Sequence, residues 1–366
     1  MFQTPTLTID LSAIIANWHL LRGKFTGDEC AAVVKADAYG LGMVEVATAL
    51  SDAGCHSFFV ATADEAVRLR DALPDVRILV FHGVQEGEEF AFANRRIIPV
   101  LNSREQIARW QPVAAEHIHA VSALHIDTAM GRLGLQPNEF GTLLEKTPDL
   151  LAGLRTGLIL SHFACAPERD HPLNRQQLQL FRDACARAPG IPASLCNSGG
   201  IFLGPDFHFH LARPGCSLYG IAPASGEANP MQQVAIWEAP ILQLRTLERD
   251  QTIGYGATAS APKGTKIATV ASGYADGYLR SLSNKAAGYI GKHRVKLIGR
   301  VTMDMLCFDV TAVPDAALNT ATHIELLGDK DGIRVDDVAD AAGTIGYEIL
   351  TRIGARVRRI YGSVSV

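Results

Sequence analysis

A lysine closes an apolar run at Ala31-Ala32-Val33-Val34-Lys35, and Ala36-Asp37-Ala38-Tyr39-Gly40-Leu41-Gly42 turns the chain directly after it. An ammonium is poorly placed inside a strand and well placed at a strand end that faces a pocket. Desolvation there lowers the lysine pKa and frees the amine for Schiff-base chemistry. Further along stand Asp127 and Arg132, then His162, the run Asn197-Ser198-Gly199-Gly200, and Arg213-Pro214-Gly215-Cys216. Together they offer an acid, two guanidiniums, an imidazole and a Gly-rich turn. Ser198 can donate its hydroxyl, and backbone N–H groups around Gly215 and Cys216 can cap an anion at a short helix start.

These residues need a common scaffold. From residue 30 to about 220, β-rich runs recur at 31–35, 57–61, 77–81, 97–101, 123–127, 157–162, 193–197 and 210–218, each ending in small, polar or Gly residues. Helix-type segments lie between most of them, for example 63–73 and 172–186. Strand and helix in eightfold alternation predict a (β/α)8 barrel, with an open doubly wound sheet as the structural alternative. In a barrel the active residues gather at the C-terminal strand ends, where all the candidates above fall, and the loops after strands seven and eight commonly hold phosphate. A reactive lysine and a phosphate subsite on one rim suggest pyridoxal phosphate.

The pattern changes near residue 230. The Pro/Gly/Ser-rich stretch between Pro223 and Pro230 reads as a linker. Beyond it, runs at 239–247, 265–271, 294–298 and 305–310 alternate or are β-branched, which predicts a mostly antiparallel β domain. The expected division is a barrel over 10–230 and a β domain made of 1–9 plus 231–366. Gly254-Tyr255-Gly256 reads as an exposed turn whose tyrosine either packs or projects its hydroxyl into a neighbouring site. A helix-like segment at 335–342 follows, and Leu11, Ile14, Ile15, Trp18 and Leu21 form a core stripe at helical spacing.

Composition narrows the function classes. The chain has 366 residues, 48% hydrophobic and 20% charged, with net charge −4, which leaves no electrostatic footprint for nucleic acid or membrane. No apolar run reaches membrane-spanning length, and no signal peptide is read at the N-terminus. Seven scattered cysteines without a C-x-x-C pair favour reduced thiols in a cytoplasm. His117/His119 and His208/His210 put imidazoles on one strand face but lack a third ligand at a telling spacing, so no metal is expected. Cys196 abuts the phosphate loop and reads as a buried, inert thiol.

Taken together the motifs resemble those of the pyridoxal-phosphate-dependent bacterial alanine racemases, over nearly the whole chain. The most specific is Val33–Gly42. Asp127–Gly134, Ser161–Ala164, Asn197–Gly200, Arg213–Gly215, Gly254–Ala257, Gly273–Gly277 and Gly299–Asp304 follow in the family's order. The resemblance implies a barrel with a C-terminal β domain that the strand at 7–9 joins, working as a head-to-tail homodimer with shared active sites. It implies that Lys35 forms the Schiff base, that Tyr39, Ser198, Gly215 and Cys216 reach the cofactor phosphate with Asn197 nearby, and that Arg213 faces the pyridine nitrogen. His162 would stack near the ring, and Arg132 would contact the cofactor's phenolic oxygen and the substrate carboxylate. Tyr255 and Met303 would come from the partner chain. Tyr274, Arg280 and Arg300 would line the entryway.

The activity implied is interconversion of L- and D-alanine by two bases, Lys35 and Tyr255, supplying D-alanine for peptidoglycan. Positive charge through His162 and Arg213 is expected to lower the Tyr255 pKa. The alternatives are a serine or broad-spectrum racemase of the same fold, or a non-catalytic pyridoxal-phosphate-binding barrel. The chain departs from the family pattern at His125, where a lysine is frequent, at Ala355, often tyrosine, and at Pro167, often aspartate.

Overall fold

The computed structural model describes residues 4–362 except 147 and 152. Residues 1–3 and 363–366, which the sequence reading assigns to the β domain, lie outside the described residues. The chain forms two compact units. One comprises Ile15–Leu218 and Ala222–Met231; the other takes the chain up to Ile14, Tyr219–Ile221, and the chain from Gln232 onward.

In the larger unit, seven parallel strands run in sequential order: Ala32–Val33, Ser57–Val60, Arg77–Val80, Ile97–Leu101, Val121–His125, Arg155–Leu160 and Ala193–Ser194. The eighth, Leu211–Ala212, pairs in parallel with Glu29–Cys30, the start of the first strand. The N–H groups of Ala31 and Val33 donate to Ala212 O and Pro214 O, while those of His210 and Arg213 donate to Ala193 O and Cys196 O. The eighth strand is thus bonded on both sides and the sheet closes into a barrel. An open doubly wound sheet would leave two edges unpaired.

Alternation points one side of each strand inward. Ala31, Val33, Phe59, Leu79, Val100, Ala123, Leu158, Leu160 and Leu211 fill the interior as one buried cluster. Helices cover the outside. Ala63–Ala72 begins with a capping box in which Thr62 Oγ1 accepts the Glu65 N–H and Glu65 answers the Thr62 N–H, an arrangement worth about 1 kcal/mol. Pro172–Ala186 carries proline in its first turn, where a missing N–H costs nothing.

Two local expectations are corrected here. The strand expected over 210–218 is only Leu211–Ala212, and a 3-10 turn occupies Cys216–Tyr219. Pro214 has no N–H to continue the ladder. The Gly-rich turn expected after Lys35 is a left-handed helical turn, with Ala36, Asp37, Ala38 and Tyr39 at φ 52° to 58°.

The smaller unit is built on an eight-stranded sheet, antiparallel save for one pair. Thr6–Asp10 is parallel to Arg358–Gly362 and antiparallel to Ala235–Thr246. A separate hairpin, Gln251–Ile253 with Ala259–Ala261, carries the Gly254-Tyr255-Gly256 turn at its tip. Val335–Ala342 is helical, and a further short helix, Gly346–Thr351, follows it. Among the described residues no helix is long and apolar enough to cross a membrane.

Candidate active site

Lys35 leaves the first barrel strand at its C-terminal end, half-buried, with Nζ 5.7 Å from the Phe81 ring centroid. Burial, with the nearby Arg132 charge, lowers its pKa; Glu65 opposes them. An amine desolvated beside another cation is a better nucleophile at neutral pH. The left-handed turn that follows costs about 1–2 kcal/mol per residue for L-amino acids. It is held from several sides. The Ala38 N–H donates to Val34 O at 2.9 Å, and the Glu65 carboxylate accepts the Ala36 and Ala61 N–H groups at 2.6 and 2.7 Å. The turn buries Tyr39 and brings its hydroxyl to Gly215, where an added Cβ would lie 2.7 Å from Tyr39 Oη.

Around that hydroxyl lies a small polar cradle. Ser198 Oγ accepts the N–H groups of Gly215 at 3.0 Å and Ser217 at 3.3 Å, leaving its own hydrogen to donate. Asn197 caps the segment starting at Ser198 by accepting the Gly200 N–H at 2.9 Å. Cys216 is buried beside Gly215, and burial raises the Tyr39 pKa. Protonated hydroxyls beside a bare Cα are groups that can donate to an oxyanion.

Arg213 is 2% exposed and has no acidic partner among the described residues. Its Nη1 donates to Ser194 O at 2.9 Å and to Ser194 Oγ, and its Nη2 to Ser161 O at 2.5 Å. Its Nε is buried with no acceptor among the described residues. The guanidinium carbon lies 5.8 Å from the Phe59 ring centroid, and burial brings the pKa down to about 10. A buried donor left unpaired points to a missing acceptor.

His162 stands across from it, with Nε2 3.5 Å from Asn197 Nδ2 and its backbone carbonyl bound by Gln177 Nε2 at 2.9 Å. Burial, then Arg213, Arg132 and Lys35, drive its pKa well below the ordinary imidazole range. Burial and the neighbouring cations thus disfavour the charged imidazole, against the expectation that His162 supplies positive charge.

His125 is neutral for the same reason, pulled down to about 4 by burial and by Arg213. Asn102 Nδ2 donates to Phe81 O and Val100 O, so its Oδ1 accepts the His125 Nδ1–H at 2.8 Å and leaves Nε2 as an acceptor. Arg132 sits on an exposed loop organised by buried Asp127, whose carboxylate accepts the N–H groups of Met130 and Gly131 and the Gln136 amide. Asp127 thus shapes the loop. The Arg132 guanidinium makes no hydrogen bond or ion pair among the described residues, yet its charge is felt by Lys35, His125 and His162.

The barrel unit therefore gathers Lys35, Tyr39, Arg132, His162, Asn197, Ser198, Arg213, Gly215 and Cys216 at the C-terminal strand ends. Tyr255, Tyr274, Arg280, Arg300 and Met303 belong to the β unit. Tyr255 is 73% exposed at the hairpin tip. Arg300 lies under that tip, where a Cβ on Gly256 would come within 2.9 Å of Arg300 Nη1. Met303 and Tyr274 occupy adjoining exposed loops, and Arg280 opens a 3-10 turn nearby in sequence.

Glu65, Gln177 and Phe81 were not singled out from sequence. Only Glu65 carried a local signal, the capping box. Elsewhere, His208 accepts the Thr26 N–H and meets Ile201 O, and His210 accepts the Ala193 N–H, so both rings serve the backbone. Cys196 contacts Phe207 O, and burial pushes its thiol up to about 12. Among the described residues no group of three or more His, Cys, Asp or Glu side chains could hold a metal ion.

Barrel, β unit and lysine-centred rim define a two-domain enzyme of the amine–carbonyl class. The chain belongs to the alanine racemase family: the family models for the N-terminal and C-terminal domains match residues 9–223 and 234–361. It is 50% identical to an alanine racemase of Rhodospirillum rubrum over 99% of this chain and 96% of that one. It is 44% identical to one of Rhizobium meliloti over 97% and 96% respectively. A crystal structure of alanine racemase from Bartonella henselae with covalently bound pyridoxal phosphate superposes with a TM-score of 0.90 at 38% identity, covering 98% of this chain and 99% of that one.

Proposed function

We propose that this chain interconverts L- and D-alanine with pyridoxal phosphate. We further propose a homodimer in which the barrel rim of one protomer is completed by Tyr255 and Met303 of the other. The observation that carries the cofactor assignment is the unpaired Nε of buried Arg213 on the same rim as a desolvated lysine. A pyridine nitrogen is the acceptor that Nε lacks. The hollow at Tyr39, Ser198 and Gly215 suits the phosphate, and Lys35 Nζ suits the carbonyl carbon. The residues therefore fit the group.

Pyridoxal phosphate, when bound, supplies an electrophilic carbonyl and an electron-withdrawing ring that acidifies the Cα–H of an attached amino acid. The protein directs that acidity. Arg213, charged at neutral pH, would donate to the ring nitrogen and keep it largely unprotonated. This moderates electron withdrawal and disfavours transamination. Arg132, lacking an internal counter-ion, holds the substrate carboxylate together with the Met303 N–H. Inversion removes a proton from one face of Cα and returns one to the other, which calls for two bases. Lys35 Nζ serves the D face and Tyr255 Oη the L face, each releasing on one half of the cycle the proton it accepts on the other.

Pro167 and Ala355 favour a second reading, a racemase of wider range, and an amino-acid panel assayed beside alanine separates the two. D-alanine for peptidoglycan is the proposed product use. The seven free thiols support a reducing cytoplasm as the site of action. The test is Tyr255→Phe, which keeps the ring and deletes the titrating hydroxyl. Racemisation should fall by ~10²–10⁴, with Cα–H exchange in deuterated water retained from D-alanine and lost from L-alanine. Near-normal racemisation, or equal loss from both enantiomers, overturns the assignment.

A further inference from the structure

The acidic residues of Gly273–Gly277 and Gly299–Asp304 have no part in the roles above. The Asp276 side chain is 1% exposed, and a carboxylate buried that deeply needs partners. Its Oδ2 accepts the Gly273 N–H at 2.8 Å, and Arg356 spans both oxygens, Nε to Oδ1 at 2.9 Å and Nη2 to Oδ2 at 3.2 Å. The third arm of the same guanidinium, Nη1, donates to Asp304 Oδ1 at 2.8 Å. One planar fork thus joins three segments of the β unit.

The backbone closes the same contacts. The Tyr274 and Ala275 N–H groups donate to Thr302 O and Met303 O at 3.0 Å, and the Gly354 N–H donates to Asp276 O at 2.8 Å. The packing leaves no slack, since a Cβ on Gly273 would lie 2.3 Å from Met303 O. The Met303 carbonyl is engaged, while its N–H has no backbone acceptor among the described residues.

We propose that Arg356 is a positioning residue: by bridging Asp276 and Asp304 it fixes the loop that presents the Met303 N–H and the Tyr274 ring to the substrate. This rests on the reading that Met303 binds the substrate carboxylate. The Arg356–Asp304 limb is about half exposed on both sides, so it adds little to stability. Its effect is geometric. An N–H displaced by an ångström loses its hold on a carboxylate, and such misplacement costs up to ~10²-fold. Lysine cannot reproduce the fork, because it offers a point charge.

The test measures steady-state constants in both directions on holoenzyme of Arg356→Ala, Arg356→Lys and Asp304→Ala, well below their melting temperatures. Arg356→Ala should raise KM for both alanine enantiomers ~10–100-fold, with the cofactor absorption band unchanged because the cofactor contacts lie on the barrel. Arg356→Lys should fall between, and guanidinium ion in millimolar amounts should recover part of the Arg356→Ala loss. Asp304→Ala should raise KM ~3–10-fold with an almost unchanged melting temperature, and it carries the test alone if Arg356→Ala does not fold. A purely structural staple would lower the melting temperature and leave KM in place, and that result overturns the proposal. Should Tyr255→Phe racemise normally, the underlying reading fails. Should Tyr255→Phe be inactive while Asp304→Ala and Arg356→Ala keep their KM, only the present proposal fails.

Discussion

Gly215→Ala tests the cradle most sharply, because the structure says which atom the new methyl meets. Its Cβ would lie 2.7 Å from Tyr39 Oη, 3.3 Å from Val33 Cβ and 3.4 Å from Tyr39 Cζ. The first distance is a collision; the others are absorbed by small shifts. Tyr39 is 7% exposed and anchored in the left-handed turn, so its ring cannot simply retreat. Overpacking of this kind costs about 1–3 kcal/mol. If Tyr39 binds the phosphate as proposed, displacing the hydroxyl also removes a hydrogen bond to a charged group, worth about 1.5–3 kcal/mol, so the cofactor Kd should rise roughly ten- to a hundredfold. In a Tyr39→Phe background the colliding oxygen is gone. Gly215→Ala should then be neutral, or stabilising by about 0.4–1 kcal/mol through the unfolded chain. Thermal melting of the four proteins gives the coupling, and titration of cofactor into apoenzyme gives the Kd. An equal cost of Gly215→Ala in both backgrounds, or an unchanged Kd in the single variant, refutes the reasoning.

Three further outcomes are expected. Borohydride reduction and peptide mapping should place a pyridoxyl group on Lys35, and an adduct on another lysine removes it from its role. Mixing inactive Lys35→Ala and Tyr255→Ala chains should restore some activity through heterodimers with one intact site; none after verified subunit exchange means that both bases come from one chain. Stability should fall as pH drops from about 6.5 toward 4, because the folded state holds His125 neutral while the unfolded chain takes up the proton. The His125 contribution is about 3 kcal/mol once pH reaches the folded value, so His125→Gln should lessen the loss of melting temperature between pH 7.5 and 5; an undiminished loss assigns it elsewhere.

The sequence by itself determined the architecture and the composition of the rim. Strand and helix periodicity depend on local alternation, so the barrel strands, the 172–186 helix and the β-rich C-terminal third were legible, as were Lys35, Arg132, His162, Ser198 and Arg213 at strand ends. Other features arise only when distant segments meet. Four consecutive left-handed residues with alanine in two places carry no local signal, since alanine has no preference for that region; the turn exists because Val34, Glu65 and the packing of Tyr39 hold it there. The neutrality of His162 and His125 is likewise unreadable from residue type, because a pKa is set by burial and by the cations that Arg213, Arg132 and Lys35 bring near. Asp276 and Arg356 are 80 residues apart in sequence, and only the folded β unit turns two motif acids and a C-terminal arginine into one fork. Local pattern selects the elements; charge and hydrogen-bond partners are settled by which elements the fold makes neighbours.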